Sequence, residues 1–148
     1  MPSDGVDPGR ASHRALRGIR DELARHPAIE DVRGRPLDDL FTELRATVDS
    51  LGVGVAAPTG TLTVRWYAGR DGERPRFVFH YAGETGFDCG WHHHEQAHVD
   101  GWGHYQERAS EAAAYRYESY EFGSVEPSRV VWEVLEALAK VLEQRDGR

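Results

Sequence analysis

Residues 61–81 read TLTVRWYAGRDGERPRFVFHY, and this stretch decides the fold class. In its first arm apolar residues alternate with polar ones, and in its second arm aromatic residues occupy every second position. A period of two is typical of β-strands that bury one face. Glycine, proline and charged residues at positions 69–75 predict a hairpin loop. The stretch therefore predicts two antiparallel strands, at about residues 61–67 and 77–81.

Helical spacing precedes this hairpin twice. A first helix is predicted from apolar residues at i, i+3 and i+7, namely Leu16, Ile19 and Leu23. A second N-terminal helix is predicted from Pro36, which suits a first helical turn, to Gly52, which suits a C-terminal cap. Its apolar stripe would consist of Leu37, Leu40, Phe41, Leu44, Val48 and Leu51.

The chain after the hairpin predicts one more strand, at residues 115–122, and a closing helix that begins at Pro127. The apolar stripe of that helix would consist of Val131, Val134, Leu135, Leu138 and Leu142. Together these patterns predict an α+β fold with two N-terminal helices, an antiparallel sheet of about four or five strands, and a C-terminal helix packed on the sheet.

Composition favours one folded domain over residues 1–148, with residues 1–10 expected to be flexible. Hydrophobic residues make up 39% of the chain, which is enough to build a core. Cys89 is the only cysteine, so an internal disulfide is excluded. The N-terminal residues contain no apolar run typical of a signal peptide or membrane span, so we expect a cytoplasmic protein without a membrane partner.

Histidines are concentrated in residues 89–108, CGWHHHEQAHVDGWGHYQER, which hold five of the eight in the chain. The Asp100-Gly101 step predicts a two-residue hairpin turn. In that register His98 would pair with Gly103 and His94 with Glu107. One sheet face would then carry His92, His94, His98, Tyr105 and Glu107, and the other His93, Glu95, His104 and Arg108.

Two chemistries suit this segment. Imidazole exchanges protons near neutral pH, so two histidines and an arginine can cleave RNA by general acid–base catalysis. The catalytic candidates are His94, His98, His104, Tyr105 and Arg108.

Neutral imidazole is also a metal ligand, which makes zinc the alternative cofactor. The zinc ligands would be His92, His94 and His98, or Cys89 with two of these histidines. A third interpretation, that these are ordinary strand residues with local hydrogen bonds, stays open.

Four arginines gather on the predicted hairpin of residues 61–81 and are candidates for RNA contact: Arg65, Arg70, Arg74 and Arg76. Guanidinium groups bind phosphate, and the neighbouring Trp66 and Tyr67 could stack a base. A solvated hairpin tip is the simpler interpretation. The net charge of −7 argues against a protein wrapped in nucleic acid but leaves room for such a local patch.

The order of an aromatic strand, a histidine-dense stretch, a short strand and a helix introduced by Glu126-Pro127 resembles the TumE-like toxins of prokaryotic toxin–antitoxin pairs. The resemblance covers about residues 61–142. Members carry a short HHxH-like motif, whose nearest counterpart here is His92, His93 and His94 with His98. The resemblance implies a small toxin related to messenger-RNA-targeting toxins, neutralised by an antitoxin with a helix-turn-helix domain. If the protein is an enzyme, a metal-independent endoribonuclease is the activity to expect. A non-catalytic zinc-binding or protein-interaction module is the alternative.

Overall fold

A computed structural model describes residues 7–49, 59–70, 72–95 and 101–146. The fold is α+β, as predicted. Its elements in chain order are α1 (Pro8–Ala24), β1 (Ile29–Arg35), β2 (Glu43–Val48), β3 (Gly60–Tyr67), β4 (Arg76–Gly83), β5 (Asp88–His93), β6 (Gly103–Arg108), β7 (Arg116–Ser119) and α2 (Pro127–Asp146). Neither helix is both long enough and apolar enough to span a membrane.

The seven strands form one antiparallel sheet in which each strand pairs with the next along the chain, in the order β1 to β7. The predicted hairpin of β3 and β4 is confirmed. Trp66 lies opposite Phe77, and their rings stack with centroids 4.4 Å apart. Gly69 and Gly72 in the connecting loop have positive φ angles of 77° and 80°, which glycine adopts without strain. The sheet has more strands than the predicted four or five.

The predicted second N-terminal helix is wrong, because β2 and the turn that precedes it occupy most of that segment. Leu44 and Val48 are four residues apart, a spacing that fits the helical period and the strand period equally well. Long-range pairing decides between them, since Leu44 lies opposite Val64 and Val48 opposite Gly60. Leu37, expected in the helical stripe, lies in the turn with 77% of its surface exposed. Leu51 and Gly52 lie outside the described residues.

Both helices contribute to one hydrophobic core with a single face of the sheet. Leu16, Ile19 and Leu23 of α1 are fully buried, as their spacing predicts. The C-terminal helix is confirmed, and its buried stripe consists of Val130, Val131, Val134, Leu135, Leu138 and Leu142. The opposite face of the sheet therefore carries mainly polar side chains. We call it the outer face.

The histidine segment does form a hairpin, of β5 and β6, but its predicted register is wrong. Gly103 pairs with His93 instead of His98, a shift of five residues. Because an odd shift moves side chains to the other face, His104 lies with His92 instead of His93. Gly101 has the positive φ expected of a turn, 83°, whereas Asp100 lies outside the described residues. The connection is therefore longer than the two-residue turn predicted.

The last predicted strand, residues 115–122, is shorter in the structure. It is observed as β7, which pairs with β6 so that Gln106 lies opposite Tyr117 and His104 opposite Ser119. This pairing extends the outer face past β6 and places tyrosines beside its histidines.

Candidate metal centre

Three histidines converge on the outer face. Strand pairing places His92 directly opposite His104, and His94 follows β5 with its backbone N–H donated to the Trp102 carbonyl at 2.9 Å. One ring nitrogen of each histidine lies within 4.8 Å of the others. We call His92, His94 and His104 the histidine triad; it is the one such group of metal-ligand side chains among residues 7–49, 59–70, 72–95 and 101–146.

The spacing of the histidine triad fits a shared metal ion. Ligand atoms bound at 2.0–2.1 Å in a tetrahedral site lie about 3.3 Å from one another. Nδ1 of His92 and Nε2 of His94 are 3.3 Å apart. The ring centroids of His104 lie 4.5 Å from His92 and 5.2 Å from His94, so the third imidazole borders the same space.

Hydrogen bonding fixes the available nitrogen of His94. Its Nδ1 lies 3.0 Å from the carbonyl oxygen of Glu95. A carbonyl only accepts, so Nδ1 carries the proton and Nε2 of the neutral ring keeps its lone pair. That lone pair faces His92, and a backbone carbonyl holding the distal N–H is the usual support of a metal-binding histidine.

Burial keeps His92 uncharged. Desolvation, followed by repulsion from His104, His94 and His80, lowers the pKa of His92 to about 3. His104 is 0% exposed. A neutral imidazole is the form that binds metal, so at neutral pH His92 does not have to lose a proton first.

Asp88, 5% exposed, anchors a polar cluster beside the histidine triad. His80 Nε2 lies 3.1 Å from its Oδ1, and Arg108 Nε donates to its Oδ2 at 2.6 Å. The Tyr115 hydroxyl also donates to Oδ1, at 2.5 Å. Burial lowers the pKa of His80, and the attraction of Asp88 offsets this only in part.

Gly90 makes room for two imidazoles. It lies opposite His80 on β4, two residues before His92. A Cβ atom on Gly90 would sit 2.7 Å from His80 Nδ1 and 3.0 Å from His92 Nε2, closer than side chains normally approach. Only glycine leaves both rings in place.

The predicted catalytic residues are divided between the two faces of the sheet. His94 and His104 come together in the histidine triad, and Arg108 is bound to Asp88 on the same face. Tyr105 lies on the opposite, helix-covered face, where it donates to Glu107 at 2.9 Å and burial raises its pKa. His98 lies outside the described residues.

The zinc ligands predicted from the sequence are placed in part. His92 and His94 are adjacent, and His104 joins them among the described residues, whereas His98 lies outside those residues. Cys89 is buried on the helix-covered face, where desolvation raises the pKa of its thiol to about 12. A site made of Cys89 and two of these histidines is therefore not formed.

Sequence reasoning missed Asp88 and Gly90, and it treated His80 as an ordinary strand residue that could face the histidines. The alternation of β4 does place His80 opposite its aromatic face, and this was the available signal. Nothing in the sequence connects Asp88 to His80, because the pair depends on the register of β4 with β5.

The four candidate RNA-binding arginines have different partners. Arg65 donates to Glu43 at 3.0 Å. The backbone N–H of Arg70 donates to Glu73 in the β3–β4 loop. The guanidinium carbons of Arg74 and Arg76 lie over the Trp102 ring, 5.3 and 5.7 Å from its centroid. Arg74 and Arg76 therefore share one aromatic platform.

Comparison of the chain with known protein families, curated proteins and solved structures finds no match. The resemblance to TumE-like toxins therefore stays a prediction, and function has to be argued from the geometry of the site.

Proposed function

We propose that this protein binds a transition-metal dication of the zinc class through the histidine triad. The observation that carries the proposal is the convergence of three imidazoles, with facing nitrogens of His92 and His94 at the 3.3 Å spacing of tetrahedral ligands. Three protein ligands leave one tetrahedral position for water or another ligand, which is the arrangement of catalytic zinc sites.

Ligand chemistry narrows the class of metal. Three imidazoles without a carboxylate suit zinc, copper, nickel or cobalt, whereas magnesium and calcium prefer oxygen ligands. Among these, zinc keeps tetrahedral geometry without redox chemistry. Zinc is therefore the first metal to test.

The competing explanation of the 3.3 Å spacing is a hydrogen bond in which His92 Nδ1–H donates to His94 Nε2. It places the His92 lone pair on Nε2, which is buried and has no hydrogen-bond partner among the residues that the structure describes. Leaving a buried acceptor unsatisfied costs about 1–3 kcal/mol. A metal ion between His92 and His94 would instead place the proton on Nε2, where an acceptor such as His80 Nδ1 on the far side of Gly90 could satisfy it.

The test is zinc binding to untagged, full-length protein stripped of metal, measured by competition with a chromophoric chelator. We expect one equivalent of tightly bound zinc in the wild type, and at least a 100-fold weaker affinity in His104→Gln. His26→Gln, in the turn that follows α1, is the matched control and should bind like the wild type. Absence of stoichiometric binding in the wild type, or equal binding by His104→Gln, would refute the proposal.

RNA cleavage by a toxin is the second candidate function. It is favoured by the stacking of Arg74 and Arg76 on Trp102, whose carbonyl accepts from His94. Cations beside an aromatic ring suit a phosphate and a stacked base. Induced expression should then arrest growth for the wild type and not for His94→Ala/His104→Ala at matched abundance. Equal growth of both strains would count against it, and RNA cleavage surviving a chelator would separate it from metal chemistry.

A further inference from the structure

His80 has one fixed and one available ring nitrogen. Its Nε2 lies 3.1 Å from Oδ1 of Asp88, a carboxylate that also accepts from Arg108 and Tyr115. A carboxylate oxygen accepts, so Nε2 of His80 carries the proton. Nδ1 of the neutral ring then carries a lone pair, and this nitrogen lies over Gly90.

His92 presents the complementary atom to the same space. Its Nε2 also lies over Gly90. A Cβ atom built on Gly90 would sit 3.0 Å from His92 Nε2 and 2.7 Å from His80 Nδ1. Nε2 is buried without a hydrogen-bond partner in the described part of the chain. The small size of Gly90 thus lets a candidate donor and a fixed acceptor approach each other.

We infer that Asp88, His80 and His92 form a hydrogen-bond relay that fixes His92 as a metal ligand through Nδ1. Asp88 accepts the Nε2–H of His80, His80 Nδ1 accepts the Nε2–H of His92, and the His92 Nδ1 lone pair faces the ion. The second bond is not formed in the structure, so the two rings have to rotate towards each other over Gly90 to close it. The inference rests on the proposed metal site and assigns His80 and Asp88 as positioning residues, not ligands.

Two observations favour a relay over a fourth ligand. The rings of His80 and His92 have centroids 6.3 Å apart, further than any pair within the histidine triad. His94 already has the matching support, since Glu95 accepts its distal N–H. Each of these metal ligands then has an acceptor on the nitrogen facing away from the ion, the arrangement that makes imidazole a stronger ligand.

The relay is tested by zinc affinity in the full-length chain with His80→Leu, which removes the acceptor, and His80→Gln, whose carbonyl can still accept. We expect zinc affinity to fall about 10- to 100-fold in His80→Leu and to recover in His80→Gln. The cobalt-loaded protein should keep the same visible spectrum in both, since no ligand is lost. Wild-type affinity in His80→Leu, or a changed cobalt spectrum in His80→Gln, would overturn the relay.

A spectroscopic readout separates the relay from simple loss of packing. Long-range ¹H–¹⁵N correlation spectra of the zinc-loaded wild type should show His92 protonated at Nε2 and metal-bound at Nδ1. Protonation at Nδ1 would refute the inference even if zinc binds. If the wild type binds no zinc, the metal proposal itself fails, which is a different result from a wild type that binds and a His80→Leu variant that binds equally well.

Gly90→Ala provides an independent arm, because it retains every ligand and inserts a methyl group between the two rings. Its zinc affinity should fall by about the same factor as in His80→Leu. Gly18→Ala in α1, where a Cβ meets nothing within 4 Å, is the control and should bind zinc like the wild type. Unchanged zinc affinity in a folded Gly90→Ala protein would contradict the relay, and the His80 variants test it if Gly90→Ala does not fold.

Discussion

His92 lies between two acceptors. On one side is His94 Nε2, left as a lone pair by the bond to Glu95, and on the other is His80 Nδ1, left as a lone pair by Asp88. A neutral imidazole has one proton and can satisfy only one of them. Whether that proton lies on Nδ1 or on Nε2 of His92 therefore decides whether the site binds a cation.

The thiol of Cys89 should be unreactive in the folded protein. Its thiol is buried and has a pKa raised to about 12, so at pH 8 it is both inaccessible and protonated. We expect no reaction of the folded protein with a thiol reagent over minutes and complete reaction in urea. Rapid modification under native conditions would show that β5 opens readily.

Residue identities alone predicted, as an alternative, a metal site that includes His92 and His94, but they did not bring His104 into it. His98 and His104 both lie within reach of His92 along the chain, and the sequence cannot choose between them without a register. Trp91 packs opposite Tyr105 in the core, and this pairing sets the register that brings His104 to His92. Side-chain packing on one face thus selects ligands on the other.

At the scale of elements, α1 begins with a defined cap. The Asp7 side chain accepts from the backbone N–H of Gly9 at 3.0 Å, and Pro8 follows at the first helical position. Asp7→Ala should lower the free energy of unfolding by about 1 kcal/mol, whereas Asp7→Asn, which still accepts, should stay near the wild type. Urea denaturation followed by circular dichroism measures both, and equal losses in the two variants would contradict a capping role.

Glu43 accepts hydrogen bonds from Arg45 on its own strand and from Arg65 on β3. Burial alone would raise its pKa, but hydrogen bonds from Arg45 and Arg65 outweigh burial and lower it. A lowered pKa stabilises the fold above the ordinary value of 4.5, and this contribution is lost as the pH falls through the folded-state pKa.

Glu43→Gln should therefore cost about 1 kcal/mol at pH 7, a modest figure because both arginines are substantially exposed. The difference from the wild type should shrink towards pH 3. Urea titrations at the two pH values measure it. A loss that is the same at both values would show that the charge of Glu43 does not stabilise the sheet.

The boundaries of helices and strands could be predicted only where the apolar residues followed a single period, either that of a helix or that of a strand. The alternation of β3 and β4 and the stripe of α2 are unambiguous, and these elements are confirmed. Residues 36–51 contain spacings common to both periods, and β2 forms there because β1 and β3 pair with it on either side. Such partners are distant in the chain, so local patterns do not contain them.

At the scale of the whole molecule, buried histidines predict instability in acid. The unfolded chain takes up protons below the ordinary histidine pKa of 6.5, while burial holds the pKa of His92 near 3 and lowers those of His80 and His93. The unfolded state then binds more protons, so stability falls as the pH drops from about 6.5 towards 3.

For His92 alone the loss is on the order of a few kcal/mol. Urea midpoints of the metal-free protein between pH 7 and pH 4 should fall, and His92→Gln should flatten the slope. A pH-independent midpoint in the wild type would show that His92 takes up its proton at the same pH in the folded and unfolded states. His80, His94 and His104, which face it from β4, from the residue after β5, and from β6, are left unchanged in that comparison.

The succession of strands from β1 to β7 also bears on biosynthesis. Each strand pairs with the one made just before it, so the sheet can assemble as the chain leaves the ribosome. α2 is made after every strand, yet its apolar stripe belongs to the core that covers Trp91 and Tyr105. The nascent sheet would therefore expose aromatic surface until α2 has been synthesised, and this interval is when the chain most needs a chaperone.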